Sequence, residues 1–368
     1  MRKSFFILLS FFSISSFAQT NYDFESLYSQ QDLKSAVISS QNLPSDRKYG
    51  VSYSLKGIIK ISDNKVLFYT GDGRIFELDM KSSKAKEYEG KPVEIYAKAL
   101  QADMLSVLKP EEINFYDPSQ EIHPPKFLPK RRQPVLTSKI EDTYEIQNFR
   151  WHSEPPSENN FDWRSVKIDA SKIKNIYFVK KPFSPEWIAA HSLMLFTFEK
   201  GGVIDSFGNE TDSIVLSIEA FLREGQEYSL TEGMKNKFNI VWVLASWKDY
   251  VERMVYFDKD SDRLVLYPVN LSQSQKKELI SYSLLQAAVN REGEYYNTIT
   301  NNCTNNLVIL INKTSDEKKK VKLWEIPYLV YNLKATMPVW VPGYLQKKGI
   351  LGSEYKTVTK ENFLEKID

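Results

Sequence analysis

Cysteine is almost absent from this 368-residue sequence: Cys303 stands alone, and only three histidines, His123, His152 and His191, accompany it. One cysteine cannot close an internal disulfide, so no disulfide framework holds the fold. Three histidines and one cysteine, spaced by tens of residues, make no zinc site, and no metal or cofactor is expected. Surplus charge is missing too. Forty-nine basic residues against forty-seven acidic ones, intermixed, leave a net charge of +2, which gives no electrostatic footprint for nucleic acid. There is no internal repeat and no glycine-rich phosphate loop. Beyond the amino terminus no segment approaches about 18 consecutive apolar residues, so no transmembrane segment is expected in the mature chain.

What is present begins with an export signal. Arg2 and Lys3 precede the uncharged stretch Phe5 to Phe17, and Ser16-Phe17-Ala18 supplies the small-x-small pattern for cleavage after residue 18. No cysteine follows the cleavage site to carry a lipid anchor. The chain is therefore expected in a periplasm or secreted.

The mature chain is hydrophobic enough, at 42%, to bury a sizeable core, and its length suggests two domains. Residues 21–117 read as a small β-barrel-like domain. Strand-like runs at Val51 to Ile61, Lys65 to Thr70, Arg74 to Asp79, Pro92 to Ala99 and Met104 to Leu108 are separated by turn signals such as Gly71-Asp72-Gly73. Five antiparallel strands at this spacing, with the phrase Glu89-Gly90-Lys91-Pro92-Val93-Glu94-Ile95, resemble an OB-fold. No aromatic and basic stripe accompanies them, which favours an envelope protein partner over nucleic acid. Residues 118–134 combine Lys126, Lys130, Arg131 and Arg132 with Pro124, Pro125, Pro129 and Pro134 and read as a linker. Residues 135–352 read as an α+β domain, with strands at Ala190 to Phe198, Ser213 to Glu219, Phe238 to Leu244 and Arg263 to Tyr267. A helix over Ser272 to Asn290 starts from Ser272 as N-cap. Residues 353–368 form a tail. Asp258, Asp260 and Asp262 mimic a calcium loop but lack its glycine and closing glutamate, so a hairpin turn is favoured.

Cys303 sits in Tyr295-Tyr296-Asn297-Thr298-Ile299-Thr300-Asn301-Asn302-Cys303-Thr304-Asn305-Asn306, directly before the apolar run Leu307 to Ile311. A solitary cysteine in an exported chain is either a small core hydrophobe or a reactive thiol. The polar loop running into an apolar helix favours the thiol, because a helix start stabilises a thiolate. A nucleophilic thiol needs a base. His123 lies in the linker, His152 precedes a polar loop, and His191 opens an apolar strand where an unpartnered imidazole would be costly. His191 is the better candidate, with a histidine satisfied by a backbone carbonyl as the plain alternative and His152 as runner-up.

At these residues the chain resembles the Lnb N-terminal periplasmic domain family, named after a bacterial lipoprotein N-acyltransferase. The resemblance covers about residues 144 to 351. It rests on Asn148-Phe149-Arg150-Trp151, Trp187 to Phe198, Leu216-Ser217-Ile218-Glu219-Ala220, Tyr296-Asn297-Thr298-Ile299-Thr300-Asn301-Asn302-Cys303-Thr304 and Pro342-Gly343-Tyr344-Leu345. It implies a permuted papain-like fold in which a strand histidine precedes a helix-borne cysteine. It also implies catalysis by Cys303 and His191 with Glu219 orienting the histidine, and substrate binding by Trp187, Tyr296, Asn297, Asn302, Thr304 and Arg150. Two departures stand out. The acidic-arginine-acidic phrase usual after the central strand is replaced by Ala245 to Arg253, and the usual arginine after Ser-x-Glu-Ala is Phe221. The activity expected is a cysteine-dependent acyl transfer or amide hydrolysis on a lipid, lipoprotein or cell-wall substrate. A cell-wall peptidase and a non-catalytic envelope binding protein are the alternatives.

Overall fold

The computed structural model describes residues 51–99, 107–120, 126–326 and 330–367. The export signal and His123 lie outside them. Residues from β1 (Ser52–Ser62), β2 (Lys65–Thr70), β3 (Ile75–Leu78), β4 (Pro92–Ala99) and β5 (Val107–Phe115), with α1 (Ser82–Ala85) between β3 and β4, form a closed barrel in the order β1-β2-β3-β5-β4. Every second residue of β2, Val66, Phe68 and Thr70, points inward, the period-2 pattern of a strand with one buried face. Asp63 and Asn64 both adopt left-handed φ, 50° and 64°, the geometry that a two-residue hairpin joining Ser62 to Lys65 requires. β5 is longer than its sequence suggests. The expected strand ends at Leu108, but β5 runs on to Phe115 as a mostly exposed strand, and a register shift opposite Tyr96 and Ala97 accommodates Pro110.

The larger sheet takes eleven strands. Its main path runs β11 (Val203–Asp205), β8 (Asp162–Asp169), β7 (Thr143–Trp151), β13 (Phe238–Ser246), β12 (Ser213–Phe221), β10 (Ala190–Phe198), β9 (Ile173–Pro182), β14 (Arg263–Pro268) and β18 (Lys356–Thr359). β6 (Val135–Ile140) pairs with β7, and β15 (Tyr295–Tyr296) with β13. β16 (Trp324–Ile326) and β17 (Val330–Tyr331) form a separate pair. The strands from β6 to β9 escape the sequence reading: β6 and β8 expose polar residues along their length and carry no long apolar run, whereas β9 holds the buried run Ile176-Tyr177-Phe178-Val179, flanked by polar and charged residues. The short α2 (Leu230–Gly233) follows β12, and α3 (Trp247–Phe257) follows β13 and packs Trp247, Tyr250, Val251 and Met254 on one face of the sheet. On the other face lie α4 (Gln273–Ala287) and α5 (Cys303–Thr314). Ser272 caps α4 in a full capping box with Gln275. Leu307 to Ile311 are all buried, as expected of a helix apolar on every side. α6 (Leu333–Thr336) and α7 (Val341–Lys347) close the order of helices. The protein is thus a mixed α+β molecule dominated by sheets. No helix among the described residues is long and apolar enough to cross a membrane.

The stretch expected as a linker does not behave as a spacer. Phe127 stacks on Phe221 at 3.9 Å, Leu128 N–H donates to the Leu222 carbonyl, and Glu224 N–H donates to the Lys126 carbonyl. Gln133 fills a gap in the sheet. β7 meets β13 in parallel at a single pair, Ala245 with Arg150, and the Gln133 side chain accepts from Trp242 N–H and donates to the Val289 carbonyl instead. Four prolines exclude a regular ladder, yet they leave side chains free to dock.

The barrel also docks. Ser54 N–H donates to the Gly293 carbonyl at 2.9 Å, the Arg74 guanidinium donates to the Glu292 carbonyl at 2.8 Å, and Asn290 Nδ2 donates to Asp72. Gly293 has φ of +76°, and a Cβ there would lie 2.2 Å from the Ser54 carbonyl oxygen. Gly293→Ala is therefore expected to cost about 2 to 3 kcal/mol through both the left-handed backbone and the clash. Thermal denaturation checks this, and a melting temperature unchanged within a degree would mean that the junction yields easily.

Candidate functional site

Cys303 is the first residue of α5. Asn302 caps the helix, its side chain accepting from Asn305 N–H while the Asn305 side chain accepts from Asn302 N–H. The asparagines of the loop are thus spent on internal hydrogen bonds, to backbone groups and to neighbouring side chains. Asn297 accepts from Ile299 and Thr300 N–H and donates to the Met234 carbonyl, and Asn301 donates to Glu294 at 2.8 Å. Glu294 also holds the buried Arg291 and forms a bridge with Tyr53 of the barrel. A continuous polar chain therefore runs from the barrel through Glu294 and Asn301 to the start of the cysteine helix.

The sulfur is buried, with Cys303 only 3% exposed, although a reactive thiol in a polar loop would be expected to be accessible to solvent. Burial alone would push the thiol up. The charge of His191 and its hydrogen bond, the Ser192 N–H and the Thr304 hydroxyl together outweigh it and hold the thiol below its ordinary value. Thr304 Oγ1 lies 3.7 Å from the sulfur and donates to Ser192 Oγ at 3.0 Å. Tyr296 faces the same sulfur. Burial and the neighbouring thiolate charge raise its phenol well above the ordinary range, so it stays a donor. Tyr228 packs edge-on against Tyr296 and hydrogen-bonds Thr298.

His191 opens β10, opposite Lys181 of β9. Its Nε2 lies 2.8 Å from Ser217 Oγ, and Ser217 Oγ donates to Glu219 Oε1 at 2.9 Å. A hydroxyl has one proton, and an ionised carboxylate can only accept it, so Ser217 accepts from His191 and the neutral imidazole carries its proton on Nε2. Nδ1 then keeps the lone pair. Glu219 is held by Arg131. Burial would raise the carboxyl, but the Arg131 and His191 charges and the Arg131 hydrogen bond hold it well below the usual carboxylate range. Beyond it, Lys181 pairs with Asp258, and burial pushes the Tyr250 phenol up to about 12.

The fold brings together Cys303, His191, Glu219, Tyr296 and Thr304, with Asn302 as cap. It does not bring Arg150 or Trp187 to them as binding groups. Arg150 is 6% exposed, pairs with Asp249 at 2.6 Å and donates to the Lys130 carbonyl; it ties the docked stretch to α3. Trp187 is 76% exposed. His152, the runner-up base, stacks on Trp151 and lines a separate cleft. Two residues of the network escape sequence reading. Ser217 lies two before Glu219 in a strand otherwise apolar up to it, a same-face spacing that could have flagged it. Arg131 carried no local signal, because it reaches Glu219 only through tertiary packing. Asp258 pairs with the Lys181 ammonium, and no metal-binding cluster occurs among the described residues.

Comparison with protein families matches residues 160–336 to the Lnb N-terminal periplasmic domain. The family is a periplasmic one, and a periplasm is one of the two destinations, with secretion, that the export signal predicts. No curated protein and no solved structure matches the chain.

Proposed function

We propose, taking residues 160–336 as an Lnb N-terminal periplasmic domain, that this envelope protein is a thiol enzyme that passes an acyl group through a Cys303 thioester. The reading rests on one observation: a thiol held below its ordinary ionisation at a helix start, beside a histidine whose far nitrogen is tied through Ser217 to Glu219. In this reading the large sheet and α5 form a permuted papain-like unit, with the strand histidine preceding the helix cysteine, and the amino-terminal barrel, its β3 parallel to β5, is OB-like.

Nδ1 of His191 takes the thiol proton, and the sulfur attacks an ester or amide carbonyl carbon. The C–S bond forms, the tetrahedral oxyanion is met by the Tyr296 hydroxyl and by N–H groups at the start of α5, and the leaving alcohol or amine departs with the imidazolium proton. An amine or water, deprotonated by His191, then attacks the thioester and the thiolate leaves. Ser217 and Glu219 are positioning residues: they fix the tautomer and orientation of the imidazole. Lipid, lipoprotein and cell-wall peptide substrates all fit this chemistry.

Intact-protein mass spectrometry of the full chain, after incubation with phospholipid vesicles or with cell-wall peptide fragments, tests the proposal. The expected result is one acyl increment on the wild type and none on Cys303→Ser. The burial of the sulfur favours a second reading, a non-catalytic binding protein, and the absence of any increment with either substrate class would select it.

A further inference from the structure

A cleft of about 940 Å³ opens where β7 runs out and β8 begins, far from the thiol. The register separates the two. Arg150 lies beside Ala245, Ala245 opposite Val215, and Val215 opposite Leu195, four residues along β10 from His191. That places the cleft about 13 Å along the strands and about 14 Å across them from the histidine. The cleft is therefore not part of the thiol centre, although adjacent residues reach both: Arg131 holds Glu219, and Arg132 lies over the Trp163 ring at 5.1 Å.

Two nitrogens on the cleft wall are buried without a hydrogen-bond partner, Nδ1 of His152 and Nε1 of Trp163. Each leaves its desolvation uncompensated unless something in the cleft meets it. The chemistry of that something is constrained. A cation is disfavoured, because guanidiniums already cover the aromatic faces, Arg132 over Trp163, Arg164 over Trp151 and Arg253 over Phe161. An anion is disfavoured as well. Arg164 is neutralised by Asp162 and Asp205, and the lining carries three carboxylates, Glu154, Asp162 and Glu210, against two guanidiniums. Burial and the Lys248 charge hold the His152 imidazole below its ordinary value, which disfavours a cationic ring as an anchor for an anion. A purely apolar ligand would leave all these groups unpaired.

What fits is a neutral molecule that both donates and accepts hydrogen bonds around its rim and offers flat C–H faces to aromatic edges. A hydroxyl does both at one atom. Arg164 uses Oδ2 of Asp162 for its two bonds, which leaves Oδ1 to accept from a ligand hydroxyl. We propose that this cleft binds a neutral saccharide, with Trp163 Nε1 and His152 Nδ1 as its buried hydrogen-bonding anchors and Asp162 and Glu210 as acceptors at its rim.

Isothermal calorimetry of the full chain with neutral tetrasaccharides of glucose, galactose, mannose and N-acetylglucosamine tests this. At least one is expected to bind the wild type. Trp163→Phe, which keeps an aromatic ring but removes the indole N–H, should bind it at least tenfold more weakly. Glu210→Ala, an exposed rim change that spares the core, should weaken it several-fold, and Cys303→Ser should bind as the wild type does. Heat from none of the four sugars, heat instead from a neutral peptide or from inorganic phosphate, or binding undiminished in both cleft variants would overturn the proposal.

Discussion

In the full-length chain, Cys303 is expected to alkylate with iodoacetamide at a pH midpoint below the free-cysteine value of about 8.5, and His191→Gln is expected to move that midpoint above it. The change follows from the balance at the sulfur. Burial opposes the thiolate, and His191 contributes the largest force in the other direction, through both charge and hydrogen bonding. Glutamine keeps the bulk and can still donate to the sulfur, but it carries no charge, so burial prevails. A midpoint higher by about one on the pH scale lowers the thiolate fraction near pH 7 about tenfold, and loss of the base costs a further ~10²-fold or more in acyl transfer. The absolute labelling rate should be low, because the sulfur is covered in the native fold. An unchanged midpoint in His191→Gln would assign the thiol's ionisation to the helix start and the Ser192 and Thr304 groups alone, and would remove His191 as base.

Glu219→Gln is expected to be the most damaging change in the supporting network. It leaves the Arg131 guanidinium, largely buried, without its carboxylate, which costs about 3 kcal/mol. Its pH dependence has a definite sign. The Glu219 carboxyl is held well below its unfolded value of about 4.3. A depressed carboxyl stabilises the folded state fully above the unfolded value and loses that contribution as pH falls toward the folded one. Denaturant titrations should therefore show the widest gap between wild type and Glu219→Gln above about pH 5, narrowing below pH 4. Activity should fall with it, since Ser217 would no longer face a pure acceptor and could turn its proton toward His191. Stability curves that run parallel from pH 3 to pH 7 would place Glu219 outside this linkage.

The two places where the sequence departs from the pattern it resembles take on a physical meaning in the fold. Phe221 stands where the resemblance leads one to expect an arginine, and it stacks on Phe127 of the docked stretch. A guanidinium nevertheless reaches the neighbouring Glu219, supplied by Arg131. The acidic-arginine-acidic phrase missing after β13 leaves Asp249, which is buried and shared by Arg150 and Arg253.

Local chemistry was enough, in the sequence alone, to place the elements whose pattern is short-ranged. The alternation of β2, the apolar run of β10 and the Ser272 cap need only neighbouring residues, and so does the asparagine cap that puts Cys303 at a helix start. The choice of His191 as that cysteine's partner came from the short histidine census and the cost of an unpartnered imidazole in an apolar strand, and the family resemblance agrees with it. Tertiary structure alone decided the rest. Whether the thiol is exposed depends on Tyr296 and the sheet beneath it. Whether a proline-rich stretch is a spacer or a docked strap depends on the partners that Arg131 and Gln133 find scores of residues away. Arg150 in a motif and Trp187 beside one look alike in sequence, but one is locked in an ion pair and the other faces solvent. These outcomes rest on contacts between distant segments, which no local period records, and on burial, which sets what each polar group costs and therefore what it must bond.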